Sequence, residues 1–160
     1  MNLSLEEQLV NLLTEKKWHI SCAESCTGGL VAARIVNVAN ASGVFDVSFV
    51  TYANEAKINY VHVSPDTIAK HGVVSEEVVH EMALGVAKAS GSEVGIGISG
   101  IAGPSGGTDK KPVGMVCFGF YIDGNVTTKT MQFGNPGRNE VRRLSTEYAL
   151  QTVLELLLNK

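Results

Sequence analysis

The chain has 160 residues, of which 44% are apolar and 18% charged, a composition that excludes a disordered chain and suits one domain with a sizeable core. Its formal net charge of −3 argues against a nucleic-acid binder that works mainly through phosphate contacts. Three cysteines without a CxxC pair, and four histidines without zinc-ligand spacing, point to reduced thiols and no metal site.

The first element is a helix. Ser4 and Glu7 form a capping box that opens an amphipathic segment to about Lys16. "WHISCAES" alternates and reads as a strand. "ESCTGG" turns the chain into a helical "GLVAARIVNVA", and "ANASG" is a loop before the strand "VFDVSFVTY". Asn54 is the expected N-cap of a short helix, "EAKINYV". Ser64-Pro65 starts another, closed by His71-Gly72, and Ser75 caps a longer one that ends at Gly91. "EVGIGISGIAG" is a buried strand running into the loop "PSGGTDKKP". "VGMVCFGFYI" and "NVTTKTMQF" form a hairpin across Asp123-Gly124, and a last helix runs from about Asn139 to Leu158. The expected fold is one three-layer α/β/α domain over residues 1–160, with a mixed, mostly parallel sheet.

Two glycine patterns fail their context. Gly95-Ile-Gly97-Ile-Ser-Gly100 matches GxGxxG, but a dinucleotide site needs that pattern where a strand enters a helix. Here the glycines sit within a strand, where they suit close backbone packing. The loop after them lacks a Walker A spacing. It still has the chemistry of an anion-holding nest, and equally that of a long connection needing glycine for its turns.

Ser25 at the strand–helix turn can cap the helix or act as a nucleophile. The four histidines, His19, His62, His71 and His80, read as structural or surface residues. Lys57, near the start of a helix, is the alternative base, since the helix dipole and burial both favour its neutral form. Tyr52 at the strand end can orient or relay the proton; the plainer alternatives are a surface lysine and an amphipathic tyrosine. Cys26, at a helix N-terminus where thiol pKa values fall, is a rival nucleophile or a buried filler. Arg138, Arg142 or Arg143 could each hold a phosphate.

Together, "AESCTGG", "VTYANEAK", "HGVVSEEVV", "SGIAGPSGGTDKKPVGMV" and "GNPGRNEVRRLSTEYAL" resemble the nicotinamide-nucleotide amidase family, over nearly the whole chain and in order. The same domain forms the C-terminal part of bacterial competence/damage-inducible (CinA-like) proteins. The resemblance implies an amidohydrolase that converts nicotinamide mononucleotide to nicotinate mononucleotide and ammonia in pyridine-nucleotide recycling. It implies no cofactor and no metal, a serine nucleophile at Ser25, a lysine base at Lys57 and Tyr52 nearby. Cys26, Thr27, Gly28 and Gly29 follow the nucleophile, and the N–H groups from Cys26 to Gly28 are expected to form an oxyanion hole. Gly100, Ala102, Gly103, Gly106, Gly107, Thr108 and Arg138 match positions near the substrate. The expected partner is a small nucleotide, with neither nucleic acid nor membrane. The chain resembles the standalone, cytoplasmic form, and a homo-oligomer is the expected assembly, although the apolar last helix could also pack internally. A non-catalytic nucleotide-binding module is the alternative function.

Overall fold

The computed structural model describes residues 2–160. Helix α1 (Leu5–Lys16) starts at a complete capping box: Ser4 Oγ accepts the Glu7 N–H at 3.2 Å and Glu7 Oε2 accepts the Ser4 N–H at 2.7 Å. Strand β1 (Ile20–Glu24) leads through the Ser25 turn into α2 (Leu30–Val36). Strand β2 (Phe45–Val50) is followed by three helices, α3 (Asn54–Val61), α4 (Pro65–His71) and α5 (Glu76–Ser90). Strands β3 (Val94–Gly100), β4 (Met115–Ile122) and β5 (Asn125–Gln132) precede the long α6 (Arg138–Leu158).

The five strands form one sheet in the order β2-β1-β3-β4-β5. The β2-β1 and β1-β3 pairs are parallel, and the β3-β4 and β4-β5 pairs antiparallel. Four strands therefore point one way and β4 the other. Alternation along the strands feeds two cores. Cys22, Ile96 and Phe118 pack with Leu9 and Leu13 of α1, Val31 of α2 and Leu150 of α6. Ala23 and Cys117 face the opposite side, with Val61 of α3 and Val78 and Met82 of α5. The expected three layers are all present.

The GxGxxG stretch has the packing role its context suggested. A Cβ on Gly97 would lie 2.8 Å from Val79 O, and one on Gly119 would lie 2.2 Å from the same atom. These glycines let the α5 backbone settle onto β3 and β4.

Three boundaries differ from expectation. Ala53, in extended conformation, is the N-cap of α3, and Asn54 is its first residue. Strand β2 stops at Val50, because the Thr51 and Tyr52 carbonyls bind the Lys57 ammonium and leave the ladder. Helix α2 ends at Val36, ahead of Asn40, which adopts a left-handed conformation (φ 68°), and a 3-10 turn at Ala41–Gly43. Helix α6 is largely covered by the protein itself: Leu150, Val153, Leu154 and Leu157 are buried, whereas Leu158 is 64% exposed.

The topology marks a place for a ligand. From β1 the chain moves through α2 to β2 at the sheet edge, then returns across β1 to β3 over the other face. The carboxyl ends of β1 and β3 thus diverge, and such switch points leave a crevice in open α/β sheets. Ser25 follows β1 and the Ile101–Gly103 segment follows β3.

Candidate active site

Ser25 extends β1 by one residue, its N–H bonding Ile98 O at 3.0 Å. Across from it, Lys57 projects from the first turn of α3. Its Nζ donates to Ser25 Oγ at 3.0 Å, to Thr51 O at 2.7 Å and to Tyr52 O at 3.2 Å. The side chain is buried, and burial pulls its pKa down to about 8. Three acceptors fit three ammonium hydrogens. After loss of one proton, two hydrogens stay on the carbonyls and the lone pair faces Ser25 Oγ, which is what a general base for that hydroxyl requires.

A cavity of about 350 Å³ opens over this pair. Of the expected residues, Ser25, Cys26, Tyr52, Lys57, Gly100, Ala102, Gly103, Gly106 and Arg138 line it. Thr27, Gly28, Gly29, Gly107 and Thr108 do not. Thr27 is fully buried with its hydroxyl on Glu24 at 2.7 Å, and the Gly29 N–H also goes to Glu24. Gly28 packs against the Arg142 guanidinium. Gly107 packs on Val113, and Thr108 closes a turn with Lys111 at the loop tip. The oxyanion expectation narrows as well. The Gly28 N–H is spent on Ser25 O at 3.1 Å, which leaves the Cys26 and Thr27 N–H groups without a partner among the described residues.

Tyr52 meets two of the site's cations. Its hydroxyl accepts from Arg138 Nη2 at 2.9 Å, and only its carbonyl reaches Lys57. Arg138 also donates to Gly103 O at 2.8 Å, so it ties the glycine loop to the cavity rim. The three arginines are thereby sorted. Arg138 lines the cavity, Arg142 donates to Cys26 O and Thr27 O at 2.9 and 3.3 Å, and Arg143 forms an exposed pair with Glu140. Of the two readings of Cys26, its surroundings fit the buried filler: burial pushes the thiol up to about 12.

Sequence reasoning missed Glu24. Its fully buried carboxylate accepts from Thr27 Oγ1, from the Gly29, Val31 and Ala32 N–H groups, and from Ser48 Oγ. It satisfies the open N-terminus of α2 and fixes the turn behind Ser25. Asn54, Val73, Val74, Ser99, Ile101 and Ser105 also line the cavity. All six lie within the motifs that carry the family resemblance, which was the available signal. Among the described residues no group of three or more His, Cys, Asp and Glu side chains is placed to hold a metal, and no helix is long and apolar enough to cross a membrane.

A mixed five-stranded α/β fold with a serine–lysine pair at its switch point defines the class of protein. The fold matches solved structures: a CinA superfamily protein of Klebsiella pneumoniae superposes with a TM-score of 0.93 at 35% identity, covering 98% of this chain and 97% of that one. Residues 2–157 match the CinA C-terminal domain, and the chain belongs to that family. Among curated relatives, a CinA-like protein of Kosmotoga olearia is 50% identical over 97% of this chain, which spans 37% of that protein's length. A protein of Enterobacter agglomerans named nicotinamide-nucleotide amidohydrolase PncC is 51% identical, over 89% of this chain and 87% of its own length.

Proposed function

We propose that residues 1–160 act as one catalytic unit, a nicotinamide-nucleotide amidohydrolase. The observation that carries this reading is the buried Lys57 Nζ, 3.0 Å from Ser25 Oγ and held on two carbonyls. The name of the Enterobacter agglomerans relative supports the substrate. In the proposed reaction neutral Lys57 takes the Ser25 proton as Oγ attacks the carboxamide carbon. The Cys26 and Thr27 N–H groups receive the oxyanion. Lys57 then gives its proton to the leaving nitrogen, and ammonia departs from a Ser25 ester. Water, deprotonated by the same lysine, cleaves that ester to the carboxylate and restores the Ser25 hydroxyl. Arg138 and the Gly100–Gly106 segment hold the substrate phosphate, with Arg138 offering a planar pair of donors. The reading places the chain in cytoplasmic pyridine-nucleotide recycling, with chemistry carried by the protein's own side chains and backbone N–H groups.

The test is ammonia release from nicotinamide mononucleotide by the purified protein after chelator treatment, beside Ser25→Ala and Lys57→Ala. The expected result is release by the wild type and none above background by either folded variant. A folded wild type that binds the nucleotide and releases no ammonia sinks the amidase and leaves a nucleotide-binding module.

A further inference from the structure

The nucleophile turn is held from two sides. Glu24 grips it from within, through the Thr27 hydroxyl and the N–H groups of Gly29, Val31 and Ala32. Arg142 reaches it from the second turn of α6, donating through Nε to Cys26 O at 2.9 Å and through Nη2 to Thr27 O at 3.3 Å. The contact is close. A Cβ on Gly28 would lie 3.2 Å from Arg142 Nη2. Asn139 Oδ1 accepts from Nη1 at 3.4 Å, which holds the guanidinium along the helix.

Peptide geometry turns these contacts into a statement about donors. A trans peptide is planar, with its C=O and N–H on opposite sides. The Ser25 carbonyl is occupied by the Gly28 N–H, so the Cys26 N–H points the other way. The Cys26 carbonyl is occupied by Arg142, so the Thr27 N–H points away from Arg142. One of the two free donors is thus oriented by the turn itself. The other is oriented by a side chain 116 residues further on. Arg142 does not line the cavity, whereas Arg138 does.

We infer that Arg142 is a positioning residue, which by holding the Cys26 and Thr27 carbonyls aims the Thr27 N–H at the oxyanion formed on Ser25. This role rests on the amidase reading given above. It predicts a particular kinetic signature. An oxyanion donor acts on the transition state more than on bound substrate, so its misdirection lowers kcat and leaves KM in place. An arginine that held substrate would do the reverse.

The experiment is steady-state ammonia release from nicotinamide mononucleotide by wild type, Arg142→Met, Arg142→Lys and Arg142→Ala, with thermal melting of each. Arg142→Met is expected to lower kcat by about 10²-fold at unchanged KM, near the lower edge for one lost oxyanion donor. Arg142→Lys, with its charge but no fork, falls between. Millimolar guanidinium is expected to restore part of the Arg142→Ala rate and none of a Ser25→Ala rate. If the Met and Ala variants do not fold, Arg142→Lys carries the test on the same kcat-against-KM split. Unchanged kcat, a rise confined to KM, or a kcat loss that tracks melting temperature without rescue by guanidinium overturns the role. A wild type that releases no ammonia overturns the amidase reading and this role together. An active wild type beside a fully active Arg142→Met overturns this role alone.

Discussion

The Ser25 turn and the glycine loop after β3 look alike in sequence, since both are rich in glycine and suited to holding a negative charge. In the fold they differ. The turn is buried from Ser25 to Thr27 and is held by a carboxylate with five donors and a guanidinium with two carbonyls. The loop is exposed from Pro104 to Lys110. It is tied at its base by Ile101 to Gly114 and Met115, near its end by Lys111 Nζ on the His71 carbonyl, and at the rim by Arg138. On the proposed reading the turn fixes atoms during the reaction and the loop meets the ligand. Glycine content does not separate these roles. Buried charge does, because a charge out of water demands a full set of partners and so fixes whatever surrounds it.

The sharpest way to break this comparison is at Lys57, the cation on the buried side. Lys57→Met is expected to lower kcat by about 10²–10⁴-fold, the range for a lost general base. For the wild type, kcat/KM should rise about tenfold per pH unit and level off above about pH 8, as Lys57 becomes neutral. The same shift has a stability sign. The folded-state pKa of about 8 lies below the ordinary 10.5, so between those values the folded state binds fewer protons than the unfolded one. Stability contributed by this group therefore rises as pH climbs from about 8 toward 10.5, and below that window the buried charge is a constant cost. Denaturant unfolding across that range should show the rise in wild type and not in Lys57→Met. A flat wild-type curve would mean that Lys57 is not desolvated in solution.

Next in size is Glu24. Glu24→Gln puts an amide nitrogen where the carboxylate now receives N–H and O–H donors from Thr27, Gly29, Val31, Ala32 and Ser48. The expected cost is about 2–4 kcal/mol in urea unfolding, the scale of charged hydrogen bonds lost with a buried donor left unpaired. Asp109→Asn at the exposed loop tip should change stability by less than about 0.5 kcal/mol. Equal effects at the two positions would erase the contrast between turn and loop.

The residues that were hard to read are those whose partners come from far along the chain. Local signals set the elements: the Ser4–Glu7 box, Pro65 behind its Ser64 cap, the Ser75 cap, and the Asp123-Gly124 turn, where φ is 45° and 98°. Each needs only a few neighbouring residues. Ser25 and Lys57 were found as chemical types in plausible places, and only the family resemblance paired them, because their 3.0 Å meeting depends on β2 lying beside β1. Glu24 gave no signal. A lone glutamate at a strand end reads as a surface charge until Ser48 on β2 and the first turn of α2 fold around it. The place of the Tyr52 hydroxyl was hidden for the same reason. Its hydroxyl partner, Arg138, is 86 residues away.

A smaller effect than at Glu24 is expected at Arg138, on the loop side. It is exposed, and its present contacts, Gly103 O and the Tyr52 hydroxyl, are both replaceable by water. Arg138→Ala should leave melting temperature and kcat nearly unchanged and raise KM for the nucleotide about tenfold, the loss of roughly 1.4 kcal/mol of binding. The corresponding nucleoside, which has no phosphate, should be handled equally by wild type and variant. This is the opposite of the kcat loss expected for Arg142→Met, although the two arginines sit one helical turn apart on α6. If nucleotide and nucleoside suffer equally in Arg138→Ala, the guanidinium acts by shaping Gly103 and Tyr52 rather than by meeting a phosphate. The loop would then belong with the turn, as part of the fixed machinery.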